Sequence, residues 1–177
     1  MAPVCVGLRF FLSGLISGLI SGALGAAIVG ASAAVAGAIE VPAPSDRPFD
    51  IGALEGGSPD CAPDCRIFTD DDISQRVLSE PSLWWSVREM GARLVPSWIV
   101  YPDEGRVDLA IDPQRWNWMD YFDRYTLVTE LAHVLRPRGY NLRVFDPQQP
   151  ERPVASYTCN FDTVPPTCRL RFAEGRN

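Results

Sequence analysis

Hydrophobic and polar positions divide the 177-residue chain into three parts. Residues 10–39 contain no charged side chain, and a helix of about 20 such residues can cross a bilayer. Residues 40–72 are rich in proline, glycine and acids, whereas residues 73–177 alternate between helical and strand periodicities. We therefore predict an N-terminal apolar segment (1–39), an acidic linker (40–72) and one folded domain (73–177).

Periodicity within residues 73–177 predicts two short helices, a hairpin and a long helix. Asp70–Asp72 can cap a helix over 73–78. Apolar residues at helical spacing from Leu83 to Leu94 predict a second helix, which begins at Pro81. The hairpin joins strands 98–101 and 106–111, with Val107 and Leu109 on one face and Arg106 and Asp108 on the other. A longer helix follows over 112–135, with Trp118, Tyr121, Phe122 and Tyr125 on its apolar side.

Three more strands complete the predicted domain, over 140–145, 154–161 and 168–172. The last two form a hairpin in which Tyr157 and Cys159 share a face with Cys168 and Leu170. We therefore predict an α+β fold: a mostly antiparallel sheet of about five strands, covered by two to three helices, behind an N-terminal apolar helix.

The apolar segment has two interpretations, a cleavable signal peptide or a single transmembrane helix. Arg9 supplies a basic start, and Ala34–Ala36 and Ala36–Ala38 fit the small-residue pattern of a cleavage site. The apolar run is longer than a usual signal core, so an uncleaved span remains an equal alternative. Under both interpretations the amino terminus stays cytoplasmic and the rest of the chain is exported.

Charge is concentrated in the predicted linker. Residues 40–72 hold nine acids and two arginines, whereas the whole chain has a net charge of −6. Prolines, glycines and mutual repulsion predict a solvated, extended spacer, with an acidic docking strip for a basic partner as the alternative. Residues 73–177 are neutral overall and lack a clustered basic surface, so no nucleic-acid partner is predicted.

Cysteine usage agrees with export. Four of the five cysteines follow the apolar segment, and an even number is typical of an oxidising compartment. The local pairing is Cys61–Cys65 and Cys159–Cys168, and only the second pair is supported by strand alternation. A zinc site made of the four cysteines is the alternative.

Candidate chemistry is sparse. His133 is the only histidine, and it lies on the long helix with Asp120, Asp123 and Glu130, but no activated nucleophile accompanies it. Arg143, Arg169 and Arg171 can share one sheet face and form a candidate anion-binding face. The five tryptophans can pack in the core or line a ligand pocket. No glycine-rich phosphate loop or metal-ligand cluster is visible, so neither a cofactor nor a metal is predicted.

Four patches carry a resemblance to a known group of proteins: Pro81–Trp85, Gly139–Phe145, Tyr157–Phe161 and Pro165–Cys168. Together they resemble a group of uncharacterised cyanobacterial exported or membrane-anchored proteins, over roughly residues 80–172. The resemblance implies a periplasmic or thylakoid-lumen setting, and it implies no catalytic residue.

Three functions are compatible with these observations. The first is a non-enzymatic, exported or membrane-tethered module that binds another protein, such as an assembly or stabilising factor of a membrane complex. The second is a small exported hydrolase or carbohydrate-active enzyme that uses Asp120, Asp123 or His133. The third is a periplasmic ligand-binding domain that uses the tryptophans. The lack of a catalytic constellation favours the first and leaves enzymatic activity open.

Overall fold

The computed structural model describes residues 40–55, 66–72, 83–91 and 93–173. The helices in these ranges are α1 (Ile51–Leu54), α2 (Leu83–Gly91), α3 (Pro113–Trp118) and α4 (Tyr121–Leu135). The strands are β1 (Phe68–Thr69), β2 (Ser97–Tyr101), β3 (Arg106–Ala110), β4 (Asn141–Phe145), β5 (Ala155–Asn160) and β6 (Thr167–Phe172). Short 3₁₀ turns occupy Pro102–Glu104 and Arg136–Arg138.

All six described strands form one sheet in the order of the chain, from β1 to β6. Neighbouring strands are antiparallel except β3 and β4, which are parallel because α3 and α4 return the chain between them. The α+β class is thus confirmed, but the sheet is mixed and has one strand more than expected. The additional strand, β1, lies within the predicted linker and pairs with β2.

Both predicted hairpins form. Strands β2 and β3 pair from Ser97 opposite Ala110 to Tyr101 opposite Arg106. The turn between them needs a glycine, since Gly105 has a φ of +55° and an added Cβ would lie 2.9 Å from the carbonyl oxygen of Gly139.

In the second hairpin, β5 and β6 pair with Tyr157 opposite Leu170 and Cys159 opposite Cys168, as the alternation predicts. Cys159 and Cys168 form a disulfide bond with a Cα–Cα distance of 4.0 Å. This pairing is confirmed, whereas Cys61 and Cys65 lie outside the described residues.

One face of the sheet, which we call the helical face, is covered by α2, α3 and α4. The alternate residues Val107, Leu109, Leu142 and Val144 point to this face, and all are fully buried. The helices contribute eight further buried side chains to this core: Leu83 and Val87 from α2, Trp116 from α3, and Leu127, Val128, Leu131, Ala132 and Leu135 from α4. Among the residues that the structure describes, no charged side chain is buried in this core.

The opposite face is covered by residues 40–55, which we call the strap. Phe49 and Ala53 of the strap are buried against Ile99, Tyr101 and Phe145 of the sheet. Two hydrogen bonds hold the strap backbone at its start and its middle: the Asn160 side chain donates to Glu40 O at 3.1 Å, and the Phe49 amide donates to Pro150 O at 2.8 Å. The expectation of a solvated spacer is therefore wrong for residues 40–55. Buried apolar side chains at intervals along an otherwise polar stretch outweigh its prolines and charges.

The predicted long helix over 112–135 is divided in two. Met119 is extended, with φ −72° and ψ 138°, and Asp120 caps α4 by accepting a hydrogen bond from Asp123 N at 2.8 Å. The buried face of α4 begins only at Leu127, so the aromatic residues placed on the apolar side, Trp118, Tyr121, Phe122 and Tyr125, are exposed.

Some predictions fall outside the described residues, namely the apolar segment 1–39 and the helix over 73–78. Among the helices that the structure does describe, none is long and apolar enough to cross a membrane.

Candidate functional site

Arg143 is not available to an external anion. Its side chain is 1% exposed on β4, where Nε donates to Asp108 Oδ1 at 2.8 Å and a terminal nitrogen donates to Asp108 Oδ2 at 2.6 Å. The other terminal nitrogen donates to the carbonyls of Ser45 at 2.9 Å and Arg47 at 2.6 Å. Arg143 thus uses its donors inside the protein and joins β3, β4 and the strap.

Asp108 lies at the centre of this buried network. It is fully buried, and the guanidinium of Arg106 adds a second ion pair with an Nε–Oδ2 distance of 3.4 Å. Burial raises the pKa of Asp108 above its ordinary value, while the hydrogen bonds and charge of Arg143 act in the opposite direction. Because an unpaired buried carboxylate is costly, the two arginines are required by the fold itself.

The network extends to the surface through Glu104. Its carboxylate accepts from Arg106 at 2.6 Å and from Arg47 of the strap at 2.8 Å. Arg106 also lies over the ring of Tyr101, 4.0 Å from its centroid. These contacts attach the strap to the sheet.

Arg169 and Arg171 share the sheet face of Arg143, as the sequence predicted, because Arg171 lies opposite Ser156 and Ser156 lies opposite Arg143. Both are exposed on β6, in contrast to Arg143. In this structure the candidate anion-binding face therefore consists of Arg169 and Arg171 without Arg143.

The candidate catalytic residues lie on the outer side of α4 and just before it. Asp120, Asp123, Glu130 and His133 are all exposed. Asp120 is used as the helix cap, and none of the four lines the pocket between β1, α2 and β2 that is described below. Within the same part of the chain, no group of three or more metal-ligating side chains is present.

An exposed apolar surface surrounds the junction of α3 and α4, where four of the seven exposed large hydrophobic side chains among the described residues lie. We call it the aromatic patch and define it as Trp118, Tyr121, Phe122 and Tyr125. Trp118 is 92% exposed and Phe122 is 76% exposed. The ring of Tyr121 lies 5.9 Å from Phe122 and 6.3 Å from Tyr125, so these three side chains form one cluster.

The aromatic patch continues onto the edge of the sheet. Tyr121 meets Phe172 of β6 edge to face, with 5.4 Å between ring centroids, and Phe172 contacts the buried Trp116. β6 is the last strand among those described, so no further strand lies beyond it to cover the first turn of α4. The sequence placed these aromatic residues on the apolar face of one continuous helix and therefore did not indicate their exposure.

A second feature, a pocket, lies between the turn after β1, α2 and the start of β2. It has a volume of about 300 Å³ and contains Asp70, Trp84, Arg88 and Trp98 in its wall. Two of the five tryptophans therefore line a cavity, while Trp116 packs in the core and Trp85 and Trp118 are exposed.

Comparison of the chain with protein family models, with curated protein sequences and with solved structures finds no match in any of the three.

Proposed function

We propose that this protein is a non-enzymatic, exported or membrane-tethered module that binds another protein through its aromatic patch. The observation that carries the proposal is the exposure of four large aromatic side chains, Trp118, Tyr121, Phe122 and Tyr125, on one helix junction. Contiguous apolar patches on soluble domains mark interaction sites, and tryptophan and tyrosine dominate the binding energy of protein interfaces.

Rigidity of the patch supports this role. Tyr121 is held against Phe172, and α4 is anchored below the patch by Leu127, Val128 and Leu131. A surface that is already ordered loses less conformational entropy on binding than a flexible segment does. The patch therefore suits a structured partner.

Export and tethering are proposed from the sequence together with the disulfide. Residues 10–39 carry no charge, and the Cys159–Cys168 bond is typical of an oxidising compartment. We place the folded domain in a periplasm or thylakoid lumen with the amino terminus in the cytoplasm. An assembly or stabilising factor of a membrane complex fits this position.

Partner binding is tested with the tagged full-length chain, purified from its native host in mild detergent. We expect one protein to co-purify at close to equimolar amounts, and the double variant Trp118→Ser/Phe122→Ser to reduce that amount at least tenfold. The control is Val164→Ser, which removes an apolar side chain that is 98% exposed outside the patch. If the double variant retains the partner as well as Val164→Ser does, the aromatic patch is not the binding surface.

Export is tested by the intact mass of the same preparation before and after thiol labelling. We expect Cys61, Cys65, Cys159 and Cys168 to resist labelling without reductant. A mass reduced by cleavage near Ala36 or Ala38 indicates a secreted form, and a full mass indicates a tethered form. Four free thiols would contradict export.

A further inference from the structure

The edge of the sheet at β6 presents a row of backbone hydrogen-bonding groups. Among the described strands, β6 pairs with β5 alone. At the end of this pair, Ala173 N donates to Val154 O at 2.9 Å. Because hydrogen-bonded residues alternate along an antiparallel pair, Arg171 and Arg169 also direct their backbone groups towards β5. The other residues of β6 direct their amides and carbonyls to the free edge: Cys168, Leu170 and Phe172.

One side of this edge is positively charged. Arg169 and Arg171 are both exposed on the face of the sheet that the strap covers further along. Their neighbours on β5, Thr158 and Ser156, are buried and uncharged. None of the ion pairs among the described residues includes either arginine. Two positive charges two residues apart therefore stand beside the edge without a partner in that part of the chain.

The other side of the edge is apolar. Leu170 and Phe172 alternate with the two arginines and lie on the helical face, where both are only partly buried. Tyr121 of the aromatic patch meets Phe172, with 5.4 Å between ring centroids. A strand added beside β6 would place its alternate side chains on this apolar surface, which is continuous with the aromatic patch.

Charge selects the kind of strand that fits this edge. If two copies of β6 paired antiparallel about Leu170, each Arg169 would lie opposite the other copy's Arg171. Like charges directly opposite each other destabilise a strand pair, so a second copy of this chain is disfavoured. A strand with carboxylates at the same two positions forms two cross-strand ion pairs instead, and the apolar residue between them lies opposite Leu170.

We propose that β6 accepts an antiparallel strand of the partner protein, in which two acidic residues flank one apolar residue. The acidic side chains pair with Arg169 and Arg171, and the apolar positions extend the contact to Phe172 and Tyr121. The backbone of the added strand bonds to the amides and carbonyls at the edge of β6. This inference rests on the proposed function, because it specifies which element of the partner meets the domain beside the aromatic patch.

Strand addition is tested by fluorescence anisotropy of short peptides with the full-length chain in a nonionic detergent. The probe is the peptide TVEVEVT with an uncharged dye, whose glutamates and valines fall on opposite faces of a strand. The peptide TVKVKVT reverses the charge, and TVEVEVT with N-methylated valines loses the amides that face β6 in an antiparallel pair. We expect the acidic peptide to saturate and the other two to bind at least tenfold more weakly.

A charge swap locates the contact on β6. Arg169→Glu/Arg171→Glu should lose the acidic peptide and bind the lysine peptide at least tenfold better than the unmodified chain does. This gain of binding requires a folded edge, so unfolding of the variant cannot produce it. The matched control is Arg66→Glu/Arg93→Glu, which changes the net charge equally at exposed positions that precede β1 and β2. It should bind the acidic peptide like the unmodified chain.

Three results would overturn the inference. The first is that the acidic peptide does not bind, in which case the arginines only protect the edge from aggregation. The second is equal binding of the acidic peptide and either of its two relatives. The third is that Arg66→Glu/Arg93→Glu loses the acidic peptide as fully as Arg169→Glu/Arg171→Glu does.

Co-purification separates this inference from the proposed function. A partner that is lost from Trp118→Ser/Phe122→Ser but retained by Arg169→Glu/Arg171→Glu contacts the patch and not the edge. That result contradicts the added strand and leaves the proposed function intact. Absence of any co-purified partner contradicts the proposed function, whereas the peptide measurements still decide whether the edge of β6 accepts an acidic strand.

Discussion

The two faces of the sheet are buried by different means. The helical face packs aliphatic and aromatic side chains against three helices and, in the described part of the chain, buries no charged side chain. The strap face is covered by a largely irregular segment and buries Arg106, Asp108 and Arg143 together with Phe49 and Phe145. The first face is stabilised by non-directional apolar burial, whereas the second depends on specific hydrogen bonds between named atoms.

This difference matters because the two kinds of burial respond differently to substitution. An apolar core tolerates changes of similar volume, but a buried ion pair loses stability sharply when one partner is removed. The strap face should therefore contain the most sensitive polar positions of the domain. The strap itself, residues 40–55, follows the apolar segment 1–39 directly in the sequence.

The largest effect is expected at the centre of the strap face. Arg143→Met leaves Asp108 buried with only the more distant Arg106, so the free energy of unfolding should fall by about 3–5 kcal/mol. Urea denaturation measures this change. Arg169→Met, on the same face but exposed, serves as the control and should change stability by less than about 0.5 kcal/mol.

A double variant separates the loss of the Arg143 contacts from the cost of leaving the Asp108 carboxylate buried without its partner. In Asp108→Leu/Arg143→Met no charge is left unpaired at the centre, so most of the lost stability should return. Equal stability of the Arg143→Met variant and the unmodified chain would mean that Asp108 is not buried beneath the strap in solution.

A smaller effect is expected from the apolar contact of the strap. Phe49→Ala removes the ring that lies 5.4 Å from Phe145 and should cost about 3 kcal/mol. Ile51→Ala is the control, because Ile51 belongs to the same segment but is exposed. Similar small losses in both variants would support a solvated spacer and contradict the docked strap.

The smallest effect is a pH dependence of the strap face. Burial raises the pKa of Tyr101 to about 12. The unfolded phenol titrates near pH 10, so between about pH 10 and 12 the folded state binds more protons than the unfolded state. This contribution to stability is complete below pH 10 and is lost as the pH rises through that window.

The urea midpoint measured from pH 8 to pH 11 checks this expectation. It should fall less steeply for Tyr101→Phe than for the unmodified chain, because phenylalanine has no proton to lose. Tyr125→Phe, at an exposed position on α4, is the matched control and should follow the unmodified chain. If all three proteins share one slope, Tyr101 is not shielded by the strap.

Strand alternation was the most informative pattern in the sequence. It predicted the β2–β3 hairpin and placed Tyr157, Cys159, Cys168 and Leu170 on one face of the final hairpin, because one-sided burial requires a period of two. The same alternation separated Val107 and Leu109 from Arg106 and Asp108. The alternation assigned these side chains to the correct faces of the sheet. It also suggested that the face with Arg106 and Asp108 is exposed to water, whereas both side chains are buried.

The docking of the strap on the sheet was not predicted, for a physical reason. Its prolines, glycines and acids describe the local tendency of the chain, which is to be solvated and extended. Burial of Phe49 and the hydrogen bonds from Arg143 to two strap carbonyls are contacts between residues about 100 positions apart. No local pattern encodes such contacts.

The aromatic patch and the pocket show the same limit. Aromatic residues at helical spacing predict a buried face, but a single capped break at Met119–Asp120 and the end of the sheet at β6 leave Tyr121 and Phe122 exposed. Likewise, Asp70, Arg88 and Trp98 belong to three separate elements, and only their packing brings them to one cavity.

The sequence by itself determined the α+β class, the hairpins, the Cys159–Cys168 pairing and the asymmetric distribution of charge. These features depend on near neighbours and on a repeating period, which the chain carries locally. The tertiary structure alone decided the parallel β3–β4 contact, the docking of the strap, the burial of Arg143 and the exposure of the aromatic patch. Each of these depends on which part of the chain, distant in sequence, packs against a side chain and excludes water from it.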